Sequence, residues 1–176
     1  YHLEENGPID LKQAVRFTLQ LLSAERFIYE RHYLYRDLKP ESIIISGNKA
    51  YLVDFGLCRQ RPYTHHDEQE FVHGSPYFIP PERILNHDED QRSEFYSLGL
   101  LLSSMILGKS PLEGGDLDFI AAQHAEGLFQ EQIPFLRRKQ PLELTVLILD
   151  MIDVNPDKRI ACFDQLESRL KAILES

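Results

Sequence analysis

Two acidic residues, Asp37 and Asp54, stand seventeen positions apart, with the basic Lys39 close behind the first. Between them lie two short apolar runs, Ile43-Ile44-Ile45 and Tyr51-Leu52-Val53, on either side of Ser46-Gly47-Asn48. Apolar runs around a Gly-Asn turn read as a β-hairpin. Such a hairpin puts Asp37 just before one strand and Asp54 just after its partner, so both carboxylates sit at the same end. Metal-assisted phosphoryl transfer needs that arrangement: one acid accepts the proton of an attacking hydroxyl while the other holds Mg²⁺ on the phosphates. The plain alternative is two surface acids flanking a hairpin in an unrelated α/β domain, and later segments of the chain weigh against it.

The elements that must position these groups are mostly helical. Asp10, after a Gly7-Pro8 breaker, is a plausible N-cap for a helix from about Leu11 to Arg31. Ala14, Phe17, Leu21, Ala24 and Ile28 recur along it at steps of three and four, an amphipathic stripe. Downstream, Phe95 to Leu107 is the longest uncharged run, thirteen residues, too short for a membrane span and suited to a buried helix that stops at Gly108. Further helices are expected at Leu117–Phe129, Pro141–Ile152 and Phe163–Leu174, with no internal repeats.

The 176 residues suffice for one domain with a real core. A content of 43% hydrophobic and 27% charged residues is ordinary for a globular protein. The net charge of −9 argues against a generic nucleic-acid or anionic-membrane binder, because phosphate affinity comes from clustered Lys and Arg. Cys58 and Cys162 are far apart and read as reduced thiols, which places the chain in the cytoplasm or nucleus. The adjacent His65 and His66 lack a third ligand at metal spacing and read as solvated. The chain opens on Tyr rather than Met, which suggests a fragment of a longer product or a processed start.

Tyr35-Arg36-Asp37-Leu38-Lys39-Pro40-Glu41-Ser42 resembles the catalytic loop of eukaryotic-type protein kinases, and Asp54-Phe55-Gly56 resembles their metal motif. Gly74-Ser75-Pro76-Tyr77-Phe78-Ile79-Pro80-Pro81-Glu82 is similar to the end of the kinase activation segment, the platform for the residue after the phosphoacceptor. Ser93-Glu94-Phe95-Tyr96-Ser97-Leu98-Gly99 resembles the start of the buried central helix, and Asp153 to Ile160 a closing segment of the family. Tyr35 and Leu57-Cys58 narrow the resemblance to the group holding protein kinase A, protein kinase B and the serum/glucocorticoid-regulated kinases.

The resemblance implies a mainly α fold with a short β-hairpin, the C-terminal lobe of a kinase without its N-terminal β lobe. It implies one domain over residues 1–176, with the activation segment at 54–82 and a helical subdomain at 83–176. Asp37 becomes the catalytic base, and Lys39 neutralises charge on the γ-phosphate of ATP. Ser75 bridges the platform to both. Asp54 is the main Mg²⁺ ligand, and Ser42 a weak one where the family has Asn. Ile44 lies either beneath the adenine or in the core as an ordinary strand residue. Arg36 pairs with a negative charge on the activation loop, supplied by phosphorylated Thr64 or by an acid among Asp67, Glu68 and Glu70. Glu82 and Arg159 form a buried ion pair, and Glu94 replaces the Asp that braces the catalytic loop.

No Gly-rich phosphate loop and no N-lobe lysine strand occur in these residues. The expected activity is transfer of phosphoryl from Mg·ATP to Ser/Thr hydroxyls of a protein or peptide, with an N-lobe supplied in cis or in trans. The alternative is a pseudokinase, a scaffold that binds protein partners without catalysis.

Overall fold

The computed structural model describes residues 7–61, 76–110, 112, 116–127 and 140–176. Helix α1, Leu11–Tyr29, follows an N-cap at Asp10 whose carboxylate accepts from the Gln13 amide at 3.3 Å. It buries Ala14, Val15, Phe17, Leu21 and Leu22. The helix ends at Tyr29 rather than Arg31, because the chain reverses through His32 at φ 65° and enters strand β1, Tyr33–Leu34. A 3₁₀ turn, Pro40–Ser42, leads into strand β2, Ile43–Ser46, which pairs antiparallel with β3, Lys49–Leu52. The register sets Ile43 opposite Leu52 and Ser46 opposite Lys49. Gly47 at φ 58° supplies the left-handed residue that a two-residue turn requires. Val53 lies beyond the ladder, held by its amide bonding the Ser42 carbonyl at 2.9 Å.

A second pairing lies outside the reading of the sequence. Strand β4, Arg59–Gln60, runs antiparallel to β1, and the Arg61 amide donates to the His32 carbonyl at 2.6 Å. This short ladder ties the residues just before Tyr35 to those just after Cys58.

After a 3₁₀ turn at Pro76–Phe78 comes the short helix α2, Pro81–Ile84, and then α3, Gln91–Leu107. The α3 start is four residues earlier than the apolar run indicated, because Asp90 caps it by accepting from the Arg92 amide at 2.8 Å. Every residue from Ser93 to Ile106 is buried. A helix buried all round is the central post of a core, not a surface element. Gly108, at φ 73°, ends it.

Helix α4, Leu117–Glu126, stops at Gly127 (φ 69°) before the expected Phe129, and residues 128–139 lie outside the described residues. Helices α5, Leu142–Met151, and α6, Phe163–Glu175, complete the core. A Cβ at Gly99 would lie 2.7 Å from Ile152 Cγ2 and 2.9 Å from Met151 Cβ, so the missing side chain is what lets α3 and α5 approach. The protein is mainly helical with two small antiparallel sheets. Among the described residues, no helix is long and apolar enough to cross a membrane, and both cysteines are free.

Candidate active site

Tyr35 ties the two acidic stretches together. Its hydroxyl donates to the carbonyl of Val53, the residue before Asp54, at 2.5 Å, and its ring meets Phe55 edge-on at 5.6 Å. Burial, followed by the charges of Asp37 and Asp54, keeps this phenol protonated well above its ordinary range. With the β2–β3 register, these contacts bring Asp37 and Asp54 to the same end of the hairpin. Asp37 is 5% exposed, and its Oδ1 accepts from Lys39 Nζ at 2.8 Å. Asp54 is exposed, takes the left-handed conformation at φ 62°, and accepts from the Gly56 amide at 3.2 Å. A non-glycine residue at positive φ is sparse in proteins and concentrates at functional sites.

Ser42 is only 1% exposed. Its hydroxyl donates to the Asp37 carbonyl at 2.6 Å, lies 2.9 Å from the Lys39 carbonyl, and accepts from the Lys39 amide at 3.1 Å. These bonds staple the two ends of the Asp37–Ser42 stretch and turn the oxygen inward, an arrangement that does not fit a metal ligand. Ile44 is 54% exposed, so it is no core residue; it stands open beside its cross-strand partner Tyr51.

Arg36 is pinned at backbone and side chain. At φ 70°, its amide donates to both Glu94 oxygens, at 3.0 and 3.3 Å, and its carbonyl accepts from Arg83 Nη1 at 2.5 Å. Its guanidinium pairs with Glu89 Oε1 through Nε at 3.1 Å and Nη2 at 3.0 Å. Glu89 Oε2 accepts from Arg83 Nε and Nη2 at 2.9 and 2.6 Å. Burial raises Glu94 to about 7, with Arg83 the largest opposing influence. Glu25 on α1 is also buried, and burial together with Glu94 raises its carboxyl well above the ordinary range. Among the described residues neither of its oxygens has a hydrogen-bond partner. Burial, then Glu94, Asp37 and Asp54, pushes the Cys58 thiol up to about 11, so it stays protonated and unreactive.

Two further anchors hold the segment after the loop. Arg159 forks onto Glu82 with Nη1–Oε1 at 2.7 Å and Nη2–Oε2 at 2.8 Å, while Ser93 donates to the same carboxylate at 2.5 Å. The guanidinium also lies 4.7 Å from the centre of the Tyr96 ring. Removing one partner of such a buried pair strands a charge and costs about 3–5 kcal/mol. The Pro76 carbonyl is 2.8 Å from His124 Nε2, and Tyr96 Oη is 2.7 Å from Nδ1. A carbonyl only accepts, so Nε2 carries the proton and Tyr96 donates to Nδ1. Burial lowers His124 to about 4, which keeps the ring neutral.

Ser75, Thr64 and Glu70, as well as His65, His66, Asp67 and Glu68, lie outside the described residues. Sequence reasoning missed Arg83, Glu89, Glu25 and His124. Arg83, Glu25 and His124 have apolar residues within two positions, whereas Glu89 lies in a polar run from Asn86 to Arg92 that carries no local signal.

The sequence matches the protein kinase domain family over residues 1–170. It is 29% identical over 175 residues to the serine/threonine-protein kinase PknB of Mycolicibacterium smegmatis, covering 97% of this chain and 28% of that protein. It is 29% identical to a probable cAMP-dependent protein kinase catalytic subunit of Encephalitozoon cuniculi, covering 91% of this chain and 47% of that protein. Against the serine/threonine-protein kinase YPK3 of Saccharomyces cerevisiae the identity is 30%, over 77% of this chain and 28% of the relative. The chain thus spans less than half the length of each of these relatives.

Proposed function

We propose, for a chain that belongs to the protein kinase domain family, that it is the C-terminal lobe of a Ser/Thr protein kinase acting on protein or peptide hydroxyls. The observation that carries this reading is the hairpin end that gathers Asp37, paired with Lys39, and the exposed Asp54. Asp37 accepts the proton of the acceptor hydroxyl as its oxygen attacks the γ-phosphorus of ATP, and the β–γ bridging oxygen leaves with the diphosphate. Lys39, already held at the Asp37 carboxylate, brings a positive charge to the transferring group.

Mg²⁺ is commonly held by one or two carboxylates plus substrate phosphates, and Asp54 offers an exposed carboxylate of that kind. When bound, the ion neutralises charge on the phosphates. The buried Ser42 hydroxyl does not suit a second ion, so the reading has one protein-held metal. The exposed Ile44 offers an apolar floor for the adenine. Tyr35 and Leu57-Cys58 support a likeness to the protein kinase A, protein kinase B and serum/glucocorticoid-regulated group. The opposing N-lobe comes from the same polypeptide or from another chain, and the protein works in the cytoplasm or nucleus. Ser42 also favours the second reading, a scaffold that kept the fold without the chemistry.

Binding and transfer assays separate the two. The 176 residues alone are expected to bind Mg·ATP weakly, because their groups meet the nucleotide from one side. The protein with its native upstream region binds it and phosphorylates Ser/Thr peptides. In that protein Asp37→Asn abolishes transfer and leaves nucleotide binding nearly intact. A folded protein that transfers no phosphate even as Ser42→Asn establishes the scaffold instead.

A further inference from the structure

We infer that Glu89 and Arg83 are positioning residues for the catalytic loop, with the Glu89 carboxylate supplying from within the fold the negative charge that Arg36 requires. The inference rests on the kinase reading for its meaning, since it concerns how Asp37 is held in register.

Asp37 follows directly on Arg36, whose backbone is in the left-handed conformation. A residue held at positive φ returns to a commoner conformation unless its surroundings over-determine it. Three groups do so here. Glu94 takes the Arg36 amide, Arg83 holds the Arg36 carbonyl, and Glu89 holds the guanidinium through two nitrogens. Glu89 is the centre of the arrangement, because one oxygen serves Arg36 and the other serves Arg83. Its side chain is fully buried, and those of Arg36 and Arg83 are 11% and 8% exposed.

A buried carboxylate between two guanidiniums is costly to remove, since it leaves two like charges facing each other in a poorly solvated place. The geometry is also that of charge-assisted paired hydrogen bonds, the strong kind. Arg36 was expected from the sequence to wait for a charge on the activation loop, from Thr64 or from Asp67, Glu68 or Glu70. The fold offers it a fixed one from the connection between α2 and α3. The loop then has its register before any phosphate is added.

The test uses the full native protein, stripped of phosphate and verified by mass spectrometry, as wild type, Glu89→Gln and Glu89→Asp. Two readouts are taken: phosphoryl transfer to a Ser/Thr peptide and amide exchange over residues 36–38. Dephosphorylated wild type is expected to keep kcat within about twofold, whereas Glu89→Gln lowers kcat by about tenfold or more with KM for ATP within about twofold. In Glu89→Gln, exchange over 36–38 rises, and Glu89→Asp restores most of both properties. A wild type that loses its activity with its phosphate, or a Glu89→Gln that matches wild type in kcat and exchange, overturns the inference. If the wild type transfers no phosphate at all, the kinase reading fails on its own, and exchange still decides: protection unchanged in Glu89→Gln overturns the clamp, and protection lost supports it.

Discussion

At the scale of single residues, position in the catalytic stretch does not fix role. Ser42 occupies the place of a family metal ligand, yet its hydroxyl joins Lys39 to Asp37 and is shut away from solvent. Ser42→Ala removes that staple and leaves the Lys39 amide and the Asp37 carbonyl without it. Urea unfolding should show a loss of about 1–3 kcal/mol, the usual cost of stranding buried polar groups. A loss below about 0.5 kcal/mol would mean the hydroxyl contributes no more than a surface substitution does. Arg36 teaches the same lesson. Its identity was plain in the sequence, whereas its partner Glu89, fifty-three residues on, was not. Nothing local to Asp88-Glu89-Asp90 separates the buried acid from its neighbours, because only the tertiary fold decides which one turns inward.

Secondary-structure elements were legible where chemistry is local. Asp10 and Gly108 bounded helices through capping, and the Gly47-Asn48 turn placed the hairpin, although β3 starts two residues before the expected Tyr51 and ends one before Val53. The β1–β4 ladder was illegible because each strand has two residues and its partner lies beyond the hairpin. The tie between α4 and the Pro76–Phe78 turn belongs to the same class. His124 sits on a helix with weak patterning, and its partners are a backbone carbonyl and a tyrosine on α3. His124→Leu strands both partners, and about 1–3 kcal/mol of stability is expected to go with each. His124→Gln, which keeps a donor and an acceptor, should lose less. Melting temperatures of the two variants check this, and equal losses would assign the effect to ring packing rather than to hydrogen bonds. At the other end of that turn, Ser97 donates to the Phe78 carbonyl at 2.7 Å, so both ends are fastened to the helical core.

At the scale of the whole molecule, buried titrating groups among the described residues pull stability in opposite directions with pH. Glu94 ionises at its ordinary 4.5 when unfolded and at about 7 in the fold. Between those values the folded state holds the extra proton, so stability falls as pH rises, and Glu25 acts in the same direction. His124 has the reverse sign: 6.5 unfolded and about 4 folded, so its contribution is lost as pH falls through that range. In Glu94→Gln the slope of melting temperature against pH from about 5 to about 7 should become more positive. An unchanged slope would exclude Glu94 as a contributor to it. The contact between the ends of the described fold has a different consequence. The first and last described helices, α1 and α6, lie together: Arg26 reaches Asp164 and Glu167 at 2.9 and 3.1 Å, and the Tyr29 and Phe163 rings meet tilted, with centroids 5.4 Å apart. On a ribosome making roughly 5–20 residues per second, α1 waits on the order of ten seconds before α6 exists. Throughout that interval the part of α1 that packs on α6 stays uncovered, even after the hairpin and α3 have docked on its other side, which exposes it to holding chaperones until α6 emerges.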